Sequence, residues 1–162
     1  MTWRVTIPLD PMGKPAWKSK QMGKGITWLK TAAEHMALAR PPRIPRGVPV
    51  RCAIVSIKAR PKRLAKAAPG LIPCPVKPDA DNVSKIVKDA ATRAGVWADD
   101  DQVVDLRVLT FYAEVDGAPR VISSVSPETA QRRPSKRLRT IAWVIAWHRL
   151  QAVKARGAAA LL

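Results

Sequence analysis

The residues best suited to chemistry in this chain are carboxylates, and they are crowded together. Asp79, Asp81, Asp89, Asp99, Asp100, Asp101 and Asp105 fall within residues 79 to 105 beside three bases, a local net charge of −4. The whole chain carries 29 Lys and Arg against 12 Asp and Glu, so everything outside that window holds 26 bases and five acids, net +21. A basic surface attracts a polyanion, because each Lys or Arg near a phosphate releases condensed counterions. Carboxylates inside such a surface would repel that partner unless they hold a cation. Several carboxylates can hold Mg²⁺ in an oxygen shell, and a carboxylate-bound Mg²⁺ is what phosphodiester hydrolysis needs to neutralise phosphoryl oxygens and to make hydroxide near neutral pH.

The spacing can be read for that chemistry and for simpler roles. Asp79 and Asp81 are two residues apart just before a helical pattern, so a turn can aim both at one point. Lys85 follows Asp81 by four residues, on the same side of that helix, where a cation could stabilise a scissile phosphate. The plain alternative makes Asp81 a helix cap, Asp79 a turn residue and Lys85 half of an ordinary ion pair. Asp99, Asp100 and Asp101 repel one another and have no evident structural purpose beyond a solvated turn. Reach constrains how the two groups meet. A helix over 82 to 94 rises roughly 20 Å, and the next six residues extend to about 20 Å at most. The expected outcomes are a strained return of Asp100 within its own chain, or its donation by the partner chain of a homodimer.

The full stretch KPDADNVSKIVKDAATRAGVWADDDQVVDLRV, residues 77 to 108, resembles the signature of the RusA family of Holliday junction resolvases, small phage and prophage endonucleases. KPDxDN, a Lys three residues on, an Asp closing the next turn and DDxQ before a strand are all present. The resemblance extends over roughly residues 2 to 125. It implies that Asp79, Asp81 and Asp100 are Mg²⁺ ligands, with Mn²⁺ able to substitute, and that Asp99 is an accessory acid. It makes Lys85 the catalytic or phosphate-contacting base and Lys77 a DNA-backbone contact. It also implies a homodimer of α+β fold that nicks two opposing strands of a four-way junction symmetrically during recombination and repair.

The elements that must position these residues follow from periodicity. Residues 2 to 8 read as a strand with Trp3, Val5 and Ile7 on one face. The loop DPMGKPAWKSKQMGKG is positive, and its Lys14 and Lys18 are expected to lie along DNA. Thr27 is expected to cap a helix over 28 to 39, and VPVRCAIVSIKA (48 to 59) reads as a strand. The basic, proline-rich ARPKRLAKAAPGLIPCPV leads to the acidic window. There, Asp81 is the expected cap of a helix with Val83, Ile86, Val87, Ala90 and Ala94 on one face and Gly95 just past its end. VVDLRVLTFYAEV (103 to 115) and RVISSV (120 to 125) read as a hairpin turning at Asp116 and Gly117.

With these elements, the resemblance implies a single compact α+β domain over 1 to 125, a mixed sheet with packed helices. A basic extension over 126 to 162 follows, in which Ser135 caps an amphipathic helix with Leu138, Ala142, Ile145 and Leu150. Cys52 and Cys74 lack any CxxC partner or zinc-like spacing and read as reduced structural thiols. The longest apolar run, Ile141 to Trp147, is far short of the ~20 residues a membrane span requires. A cytoplasmic, nucleoid-associated protein without membrane partner or small-molecule cofactor is expected. Two other readings stay open: a non-catalytic basic nucleic-acid-binding module whose acids only shape the fold, and a membrane-surface protein using the helix of Trp143 and Trp147.

Overall fold

A computed structural model describes residues 2–15, 20–67 and 69–128. The chain runs β1 (Trp3–Ile7), α1 (Met22–Leu38), β2 (Val50–Lys58), β3 (Ile72–Pro73), α2 (Ala80–Arg93), β4 (Val103–Tyr112) and β5 (Arg120–Pro127), with 3₁₀ turns at Lys62–Leu64 and Asp100–Gln102. The five strands form one mixed sheet in the order β1-β5-β2-β4-β3. Within this sheet β2 and β4 pair in parallel, while β1 with β5, β5 with β2 and β3 with β4 are antiparallel. This is the α+β fold expected from the sequence.

Alternation builds the core. Val5 and Ile7 of β1, Cys52 and Ile54 of β2, and Val121 and Val125 of β5 point to one side of the sheet, where they meet Met36 of α1 and Val83, Ile86 and Val87 of α2. In α2 these residues recur at helical spacing, so one face is buried while Asp81, Lys85, Lys88 and Asp89 occupy the other. Gly95, at φ +72°, takes the left-handed conformation that ends the helix, and its N–H donates to Thr92 O.

Three expectations need correction. The cap of α2 is Asp79, whose side chain accepts from Asn82 N–H; Asp81 lies inside the first turn. Both residues have the right chemistry for a cap, and the helix begins two residues earlier than the apolar spacing alone required. Similarly, α1 starts at Met22, so Thr27 is not a cap but an interior residue whose hydroxyl donates to Gly23 O. Packing accounts for Gly25, where a Cβ would come within 2.5 Å of Pro15.

The third correction is topological. β4 and β5 are not a hairpin, because β2 lies between them: Val55 is opposite Leu109 on one side and Ile122 on the other. Residues 113 to 119 carry the chain past the end of β2, where Ala113 N–H donates to Lys58 O at 2.8 Å. Asp116, at φ +61°, and Gly117 do form a turn, but a two-residue turn joins only neighbouring strands roughly 4.8 Å apart. The run from Ile54 to Ile57 is buried throughout, and that two-sided burial belongs at the centre of a sheet.

β5 runs two residues beyond the expected strand end, and Glu128 N–H donates to Pro49 O. Lys18 and the expected helix after Ser135 lie outside the described residues. Among the described residues no helix is long and apolar enough to cross a membrane.

Candidate active site

Two acid–base groups line the exposed face of α2. At its first turn, Asp79 Oδ1 accepts from Asn82 N–H at 3.1 Å and Lys85 Nζ donates to Asp81 Oδ2 at 2.5 Å. Both carboxylates are exposed and leave their second oxygen, Asp79 Oδ2 and Asp81 Oδ1, without a hydrogen bond among the described residues. The bond from Lys85 to Asp81 and that carboxylate's charge, with a smaller contribution from Asp79, raise the Lys85 pKa above its ordinary value. Lys85 is thus held protonated beside the two acids.

The second group forms farther along. Lys88 Nζ donates to Asp100 Oδ2 at 2.8 Å, and Lys14 Nζ pairs with Asp89 Oδ2 at 2.7 Å. Lys88 is the main reason the Asp100 carboxyl titrates below the usual aspartate range, with weaker help from Asp99 and from the charge on Lys14. Asp81, Lys85 and Lys88 stand at i, i+4 and i+7, so they share one face. Asp100 therefore meets the helix about 10 Å beyond Asp81 along its axis, at 1.5 Å per residue. Its own chain does bring it back to α2, but to the level of Lys88. Among the described residues no three acids, cysteines or histidines form one metal-holding group.

The acidic turn is anchored by a residue whose part the sequence reading left unassigned. Gln102 is buried and uses its whole amide: Oε1 accepts from the N–H groups of Ala98 and Asp99, while Nε2 donates to Pro45 O and Val48 O at 2.7 and 3.0 Å. With Asp99 at the N-cap this forms a capping box, which fixes the backbone of Asp100 and Asp101 against the segment leading into β2. The D-x-x-Q spacing carried that signal. Lys88 was also missed, since a lysine one turn past Lys85 looks like any solvated base.

The N-terminal loop closes the other side. Lys14 N–H donates to Asn82 O at 3.0 Å, and a Cβ on Gly13 would press within 3.0 Å of Asn82 and Pro78, so the loop lies directly on the first turn of α2. A groove there is lined by Lys14, Lys20, Lys77, Asp79 and Asn82. Lys77 is exposed, and its carbonyl accepts from Lys58 Nζ. Asp101 is exposed, and Asp105 pairs with Arg51 and Arg107 on the sheet, away from α2.

The donor chemistry suits Mg²⁺: the available atoms are hard carboxylate oxygens, two of them unengaged at the first turn of α2 and a third carboxylate standing on the same face. A family profile described as endodeoxyribonuclease RusA matches residues 8–122, a span that includes both acidic groups and the N-terminal loop. A Bacillus subtilis (strain 168) protein described as uncharacterized protein YqaN is 42% identical over 71 residues, which is 44% of this chain and 49% of that relative. The aligned part thus spans about half of the relative's length. Since the profile covers most of the chain, from before α1 into β5, this chain belongs to the RusA endodeoxyribonuclease family.

Proposed function

We propose that this chain is a Mg²⁺-dependent, structure-selective endodeoxyribonuclease that resolves four-way DNA junctions by paired symmetric nicks as a homodimer. The observation that carries the reading is the first turn of α2, where Asp79 and Asp81 present free carboxylate oxygens beside a protonated Lys85 within a strongly basic chain. Asp79, Asp81 and Asp100 would hold Mg²⁺, with Mn²⁺ a substitute and Asp99 adjacent. Bound there, the ion would neutralise charge on the phosphoryl oxygens and lower the pKa of water so that hydroxide can form near neutral pH.

The chain's own groups do the rest. Lys85, with its raised pKa, keeps its charge at neutral pH and stabilises the phosphate or leaving oxygen. Lys77 and Lys14 border the groove that leads to Asp79 and take the DNA backbone, with Lys18 of the same loop assigned to that task from sequence alone. Two copies related by a two-fold axis would place two such sites on opposing strands of a two-fold junction.

A labelled four-way junction incubated with Mg²⁺, and in parallel with EDTA, tests the reading. Paired cuts that require the metal are expected. Binding without cleavage at any Mg²⁺ concentration would favour a second reading, a non-catalytic junction-binding member, for which the neutralisation of Asp100 by Lys88 is the supporting observation.

A further inference from the structure

Between Lys58 and Lys77 the chain carries six bases and no acid: Lys58, Arg60, Lys62, Arg63, Lys66 and Lys77. The structure divides them by task. Lys58 Nζ donates to Lys77 O, two residues before Asp79, so the end of β2 abuts the start of the acidic motif. Arg60 turns inward. Its Nε donates to Ala113 O at 2.7 Å, one terminal nitrogen to Leu64 O at 3.2 Å and the other to Gly70 O. Its guanidinium thereby ties Leu64 and Gly70 of the segment that follows it to Ala113 of the crossover leaving β4. Val115 N–H adds a bond to Pro69 O at 3.1 Å.

Lys62, Arg63 and Lys66 are left outside this clamp. All three are exposed, and among the described residues none has an ion-pair or hydrogen-bond partner for its side chain. They sit on and just after a 3₁₀ turn closed by Leu64 N–H to Pro61 O and Ala65 N–H to Lys62 O, with Ala67 N–H bonded to Leu64 O. Three cations within five residues of a braced turn repel one another, and among the described residues none of them is paired with a carboxylate. Such an arrangement is suited to a row of phosphates. An apolar surface is a poor match, because residues 61 to 67 expose no large hydrophobic side chain.

We propose that residues 60 to 67 form a second DNA-backbone grip, in which Lys62, Arg63 and Lys66 take phosphates of the duplex arm that leaves the cleavage site on the Lys77 side. Arg60 is its positioning residue and does not touch DNA. The proposal rests on the reading that this chain acts on DNA, and it extends the contact beyond the groove at Lys14 and Lys77.

The test uses the full chain, a four-way junction and EDTA to prevent cutting, with affinity followed against NaCl concentration. The variant K62A/R63A/K66A changes only exposed side chains. Each phosphate contact contributes about −0.9 to the slope of log K against log salt, so the variant's slope should be shallower by about 2.7. Arg60→Lys, which keeps the charge but cannot fork to three carbonyls, should also flatten the slope and should open the arm to trypsin after Lys62 and Arg63. A triple-variant slope equal to that of the parent overturns the grip, as does a change confined to binding of anionic phospholipid vesicles. Cleavage is scored separately with Mg²⁺: a parent protein that binds but never cuts removes the nuclease reading while the salt slopes still decide the grip.

Discussion

Lys88 Nζ lies 2.8 Å from Asp100 Oδ2, so the acidic turn before β4 is tied by charge to the third turn of α2. Asp81, two turns back on the same face, is paired instead with Lys85. Each acid the family resemblance assigns to the metal is therefore close to a base or a cap, and the lysines hold in place carboxylates that would otherwise repel one another.

Asp81→Asn should abolish cleavage while junction binding is kept or tightened. The change removes a proposed ligand and a negative charge facing DNA together, and the side chain is exposed, so folding should be unaffected. Parallel gel-shift and cleavage assays with Mg²⁺ check it; loss of binding would count against the ligand role.

Lys88→Met should change how stability depends on pH. Lys88 lowers the Asp100 pKa, so the folded state binds that proton more weakly than the unfolded chain does. The pair's contribution is thus present above the ordinary aspartate range near 4 and is lost as pH falls through the lowered folded value. Asp100 is partly exposed, so solvent screening keeps the contribution small. Urea unfolding at pH 7 and pH 3 should show the parent losing more stability on acidification than the variant. Equal losses would mean the pair is not formed in solution.

The α2 helix was legible because its apolar spacing and terminal Gly95 agree with each other. Its cap was misplaced by two residues because Asp79 and Asp81 satisfy the same local rule, and only the position of Asn82 N–H decides between them. The strand order was not legible. Asp116 and Gly117 carry a genuine local turn signal, whereas the insertion of β2 between β4 and β5 depends on burial of Val55 and Ile57 by distant residues. In the site, residue types identified Asp79, Asp81 and Lys85 as neighbours, but the pairings of Lys14 with Asp89 and Lys88 with Asp100 join separate segments and have no signature in spacing.

Gln102→Leu should destabilise the protein by about 2–4 kcal/mol, since the side chain's four hydrogen bonds vanish and buried partners are left unsatisfied at ~1–3 kcal/mol each, offset in part by added apolar burial. The same variant should lower cleavage more than Asp101→Asn, because Gln102 holds the backbone that carries Asp100 while Asp101 is exposed. Thermal unfolding and single-turnover cleavage at a temperature where both variants are folded separate the two effects.

The ownership of Asp100 can be settled by mixing Asp81→Asn with Asp100→Asn subunits. If each site takes Asp100 from its partner, a mixed dimer contains one site with both residues intact, and single-strand nicks return. If each site uses its own Asp100, both sites of the mixed dimer lack a ligand and nothing returns. We expect the second outcome. Gln102 fastens the acidic turn to Pro45 and Val48 of the same chain, and Lys88 of the same chain holds the carboxylate. About 10 Å of helix still separates Lys88 from Asp81, so completing the site within one chain requires Asp100 to leave Lys88 and turn toward the first turn of α2. No nicking by a verified heterodimer is expected, and its appearance would place Asp100 in the partner's site.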